Sequence, residues 1–106
     1  MKILFDQGTP VPLRPMLLEH SIETAFERGW QTLKNGDLLS AAELENFEVL
    51  VTTDQNLRYQ QNLQGRRIAV VVLLSTSWPR IRKQIETIRN VIGQARSGSY
   101  HEIPIS

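Results

Sequence analysis

Three acids have the residue type and setting for metal-assisted chemistry. Asp6 closes the short apolar run "KILF", Asp54 follows the apolar run "VLVTT", and Asp37 opens the segment "LLSAAELENF". Carboxylates gathered at one place repel one another unless a cation lies among them. A site built from oxygens suits magnesium or manganese, which retain part of their water shell. Each acid also has a plainer reading as the cap of the helix that follows it. The pairing of Asp6 with Asp54 favours the metal over two coincident caps.

Other polar residues near these acids carry two readings each. Asn56 can contact a metal or substrate, or simply start a helix in solvent, and Gln7 and Gln55 are alike in this. Arg58, Arg66 and Arg67 are the bases nearest Asp54 in sequence and can hold substrate phosphates, or be solvated charge around a turn. Thr52 and Thr53 can bond to the acids, although β-branched residues are expected in a strand anyway. Tyr59 can stack on a nucleobase, with packing against a sheet as its commoner role. His20 and His101 stand alone without ligand spacing, which gives them surface or structural roles.

Several chemistries are excluded. The 106 residues contain no cysteine, which removes thiolate catalysis, disulfides and cysteine zinc sites. No serine stands in a nucleophile-elbow context. The turn "DQGTPVP" lacks the glycine pattern that brings backbone close to a pyrophosphate. A magnesium-dependent phospho-receiver domain needs a lysine near the end of a late strand, and "VVVLLSTSW" offers none.

The elements that must carry these residues alternate. "KILF" reads as a strand, and a short helix is expected from Pro10, irregular or kinked because Pro15 lies within it. "SIETA" reads as a second strand. Asn35-Gly36 reads as a turn pair in the connection to a helix over "LLSAAELENF", which leads into a third strand, "EVLVTT". "QNLRYQQNLQG" reads as a short helix ended by Gly65. "RIAVVVLLS" is an unalternated apolar run that suits a central parallel strand. A helix from Ser77-Trp78-Pro79 carries the core stripe Ile81, Ile85, Ile88 and Ile92, with Arg82, Glu86 and Arg89 paired on its solvated face. Trp30 and Trp78 read as packing residues, and "SYHEIPI" as an edge strand. The order predicts an α/β domain around a mainly parallel sheet, with residues 1–106 as one unit. In such sheets ligands bind beyond the carboxyl ends of the strands, where Asp6 and Asp54 are expected.

Charge is unevenly divided. Nine acids and four bases precede or include Asp54, whereas eight bases and two acids follow it. An acidic half joined to a basic half is the pattern expected of a metal site beside a phosphate-binding surface, and also of ordinary solvated faces. No stretch approaches the roughly 20 apolar residues of a membrane span, and "MKILFDQG" reaches an acid too early for a signal peptide, so a cytoplasmic protein without a membrane partner is expected.

"MKILFDQGTP", "KNGDLLSAAE" and "VLVTTDQNLRYQQNL", in that order and spacing, resemble the bacterial PIN-like family of toxin-type ribonucleases. The resemblance covers almost the whole chain, with "TTDQNLRYQQNL" its most specific piece. It implies a three-layer PIN-like domain that hydrolyses RNA with magnesium or manganese held by Asp6, Asp37 and Asp54, and Asn56 as a polar neighbour. It also implies a cognate antitoxin as partner, and leaves pairing with a second copy open. PIN ribonucleases typically carry a fourth acid. Here Gln7 follows the first aspartate where many relatives have an acid, and Glu43 reads as an exposed helical residue. The alternative is therefore a PIN-like module that binds RNA or protein without turnover.

Overall fold

The computed structural model describes residues 1–60 and 62–106. Its strands are β1 (Lys2–Phe5), β2 (Ser21–Thr24), β3 (Val49–Thr52), β4 (Ala69–Leu73) and β5 (Tyr100–Ile103), which form one sheet in the order β2-β1-β3-β4-β5. Every pairing is parallel. All residues of β3 and β4 are buried, as a central parallel strand covered on both faces requires, which explains why neither shows polar alternation. The expected edge strand is present as β5, alongside β4.

A 3-10 helix over Val11–Leu17 joins β1 to β2. Pro12 lies in its first turn, where any helix tolerates proline, and Pro15 is the one that an α-helix interior would not accept. The connection to β3 holds α1 (Asn35–Leu44), and that to β4 holds α2 (Leu57–Gln60). The expectation of a helix running on to Gly65 includes Gln61, which lies outside the described residues. Gly65 itself has φ +83°, a left-handed conformation that glycine adopts without a Cβ penalty. The expected single helix after β4 is in three pieces: α3 (Trp78–Ile81), a 3-10 turn (Arg82–Gln84) and α4 (Ile85–Gln94). Ile81, Ile88 and Ile92 are fully buried and Ile85 partly so, so the core stripe survives the break.

The two faces of the sheet carry separate cores. Ile3, Phe5, Val49, Val51 and Val71 pack with Leu13 and Leu17 of the first 3-10 helix and with Ile81, Ile88 and Ile92. Leu4, Leu50, Val70 and Val72 pack on the other face with Leu38, Leu39 and Ala42 of α1 and Leu57 of α2. From β2 to β3, β4 and β5 the chain advances in one direction, yet its last connection crosses the face opposite to α1 and α2. That connection is therefore of opposite hand to the other three, so the four cannot all follow the right-handed preference of parallel crossovers. The packing supplies the reason. The short 3-10 helix cannot by itself cover Val49, Val51 and Val71, and α3 and α4 do so. Among the described residues no helix is long and apolar enough to cross a membrane.

Candidate functional site

Strand β1 lies between β2 and β3, and the chain leaves it for β2 before returning across the other face to β3. The connections thus diverge at the carboxyl ends of β1 and β3, where a crevice opens. Register places Phe5 opposite Val51, and the Asp6 N–H donates to the Val51 carbonyl at 3.2 Å. Asp6 and the segment Thr52–Asp54 consequently emerge side by side.

Thr52 links the two acids. It is 0% exposed, and its hydroxyl donates to Asp6 Oδ2 while accepting the Asp54 N–H at 3.0 Å. Asp6 Oδ1 accepts from Gly8 N and faces the Thr9 hydroxyl, both at 3.1 Å. That hydroxyl also lies 2.8 Å from the Val51 carbonyl, so its single proton serves one acceptor at a time. Gly8 has no room for a side chain, because a Cβ there would run into Thr53 Oγ1. The loops after β1 and β3 are therefore pressed together. Burial pushes the Asp6 carboxyl above its ordinary pKa; the bonds from Thr52, Thr9 and Gly8 act against this, and the nearby Asp54 charge adds to it.

Asp54 accepts from Asn35 Nδ2 at 2.8 Å and from Asn56 N at 3.0 Å. Its cap-like role at the start of α2 is thus real, and so is its place beside Asp6. Asn35 was legible only as part of an Asn-Gly turn. It is instead the first residue of α1, carried by that helix to the carboxyl edge. Asp37 lies two residues further on, exposed in the first turn. Among the described residues, no three histidine, aspartate or glutamate side chains come together closely enough to hold a metal ion.

The expected phosphate-binding residues separate. Arg58 lies over the rings of Tyr59 (4.7 Å) and Tyr100 (5.7 Å), with Glu102 3.8 Å away. Tyr59 is 72% exposed rather than packed on the sheet, and Asn56 is exposed, reaching Asp54 through its backbone. Arg66 and Arg67 precede β4, and in a parallel sheet that is the amino edge, opposite the acids. Arg66 pairs with Glu43 at 2.8 Å and bonds Ser40 at 3.1 Å. Glu43, read from sequence as exposed, is half-buried and also takes the backbone N–H groups of Arg67 and Ile68. These two arginines and Glu43 fasten α1 to the start of β4.

No protein-family model, curated protein or solved structure matches this chain.

What the site can do follows from its donors. Two carboxylates, neither ion-paired within the described residues and one of them resisting ionisation, are a set that a cation would relieve. Magnesium commonly takes one or two protein carboxylates and fills its remaining positions with water and substrate oxygens. The pair Asp6 and Asp54 fits such an ion, and manganese likewise. Two depressions meet at Asp6 and Gln7. One, of about 130 Å³, is bordered by Trp30 and Asn35; the other, of about 630 Å³, by Val11, Arg14, Phe26 and Glu27.

Proposed function

We propose that this chain is a PIN-like ribonuclease that hydrolyses phosphodiester bonds in RNA, with magnesium or manganese held by Asp6 and Asp54. The observation that carries the reading is the pair of carboxylates bridged by Thr52 at the switch point of a parallel sheet. When bound, such an ion polarises a phosphate and supplies a water of lowered pKa. The chain's own residues do the rest. Thr52 fixes the relative position of the acids, Asn35 orients Asp54 from α1, and Gly8 admits the close approach of the two loops. Arg58, four residues beyond Asp54, offers positive charge to a neighbouring phosphate. The toxin role and the antitoxin partner belong to the same proposal and rest on the resemblance alone.

The test is cleavage of a mixed RNA pool by the purified protein with manganese and with EDTA, beside Asp54→Asn, whose amide keeps the size of the side chain. Cleavage that needs manganese and is lost in the variant supports the reading. A second reading, a module that binds RNA or protein without turnover, is favoured by one observation: among the described residues no three acids gather closely enough to hold an ion. RNA binding without cleavage under either condition would favour it.

A further inference from the structure

We infer that the larger depression beside Asp6 is a nucleotide subsite, in which a base of single-stranded RNA lies against Phe26. The inference rests on the phosphodiester reading of the acid pair and names what lies to one side of the bond being cut. The cavity of about 630 Å³ is within the range of roughly 300–1,000 Å³ typical of small-molecule sites. The depression on the other side of Gln7, at about 130 Å³, is too small for a nucleotide. Both are bordered by Asp6 and Gln7. A strand whose phosphate sits at Asp6 can therefore place one adjoining nucleotide in the large depression and none in the small one.

Phe26 is 70% exposed and belongs to neither core. Its exposure is nonetheless built. The turn that carries it is closed by a reciprocal pair: Thr24 N donates to Glu27 Oε1 at 2.9 Å, and Glu27 N donates to Thr24 Oγ1 at 3.0 Å. This is the capping-box arrangement that satisfies two backbone donors at once. Arg14, from the first 3-10 helix, donates to the same Glu27 oxygen at 2.9 Å, and Ala25 N is tied to the Phe5 carbonyl at 2.8 Å. The backbone that carries the exposed ring is thus a turn braced from both sides, and the apolar Val11 borders the same depression. An aromatic on a fixed turn gives a base a stacking surface with no backbone left to order. With Glu27 and Asp6 on its rim and Arg14 already paired, the depression favours a neutral base over a phosphate.

The test is fluorescence anisotropy with a short labelled oligouridylate and with an abasic strand of equal length, with calcium in place of manganese so that a divalent ion is present while cleavage is suppressed. Wild type, Phe26→Ala and Phe26→Trp are compared. Phe26→Ala is expected to weaken binding of the oligouridylate roughly 5- to 150-fold, the range found for loss of one base-stacking side chain. Phe26→Trp is expected to restore it, and the abasic strand to bind all three proteins equally. With manganese, Phe26→Ala should raise KM and leave kcat nearly unchanged. Equal affinity of wild type and Phe26→Ala for the oligouridylate overturns the inference while leaving manganese-dependent cleavage intact. So does an equal loss on the abasic strand, or a variant that changes only the mass in light scattering, which would assign Phe26 to contact with a second copy. Wild type that neither binds nor cleaves RNA overturns the inference together with the function on which it rests.

Discussion

Replacing Thr52 with valine removes one hydroxyl and almost nothing of the side chain's shape. That hydroxyl makes two bonds, to the Asp6 carboxylate and from the Asp54 N–H. A hydrogen bond to a charged group contributes about 1.5–3 kcal/mol and a neutral one about 0.5–1.5 kcal/mol. Both aspartates are half-buried, so water replaces part of each, and the expected loss at neutral pH is about 2–3 kcal/mol. The loss should depend on pH in a defined sense. Burial holds the folded pKa of Asp6 above the ordinary 3.8, and the Thr52 bond is the largest influence opposing it. A carboxyl whose folded pKa lies above its unfolded value binds its proton more tightly when folded. Stability is therefore greatest where the group is protonated in both states and falls as pH rises through the folded pKa. Valine raises that pKa further. The difference between variant and wild type should grow from about 1 kcal/mol, the share of the Asp54 N–H bond, in acid to the full value at neutral pH. Urea unfolding of both proteins in EDTA across this range measures it. A loss independent of pH, or one below about 0.5 kcal/mol, would refute the bridge.

Asn35→Ala should weaken manganese binding by about 10–100-fold, the usual cost of losing a residue that orients a metal ligand. Asp37→Asn, an exposed change, should alter it by no more than about twofold; calorimetric titration compares the two, and a reversed order would return Asp37 to the site. Glu43→Ala should cost about 2 kcal/mol, because it leaves two backbone donors unmet and takes the ion partner from Arg66, which keeps only Ser40 and the Gly36 carbonyl. Burial opposes ionisation of Glu43, but the Arg66 bond and the Arg67 and Ile68 N–H groups outweigh it and hold its pKa below the ordinary 4.5. That stabilisation is therefore present above 4.5 and is lost as pH falls through the folded value. Thermal unfolding of wild type should show an acid-side decline that is smaller in Glu43→Ala.

The parallel sheet was legible because its strands are short apolar runs separated by helical periodicity and turn residues. Periodicity does not specify on which face a connection crosses, so the reversed hand after β4 left no mark in the sequence. Local signals misled where tertiary contacts decide. Asn35-Gly36 has the composition of a turn, yet packing of Leu38, Leu39 and Ala42 draws the helix back to Asn35 and turns Asp37 into a first-turn residue. Arg66 and Arg67 are close to Asp54 in sequence, but one strand-length of connection delivers them to the opposite edge. Asp6 and Asp54 could be placed correctly because a residue at the carboxyl end of a parallel strand has nowhere else to go. Thr52 was expected to act as a strand residue before a partner of the acids; the structure makes it both.

The contrast between Asp6 and Glu43 separates an acid proposed as functional from a structural one on physical grounds. Both carboxylates are half-buried; Glu43 receives three hydrogen-bond donors, and Asp6 receives two, with the Thr9 hydroxyl as a third that it shares with the Val51 carbonyl. For Glu43 one donor is a guanidinium, and its charge is held comfortably at neutral pH. For Asp6 the donors are two hydroxyls and an amide, the nearest charge is the like charge of Asp54, and ionisation is opposed. Hydrogen bonding is thus similar at the two sites, and the difference lies first in the burial that opposes Asp6 ionisation and then in the missing positive charge. Supplying one within the chain should then have opposite effects on stability and function. A lysine in place of Gln7, which borders the same depressions as Asp6, would provide the countercharge that the site lacks. It would reduce the cost of ionising Asp6 and, on the proposed reading, compete with the divalent ion for the same carboxylate.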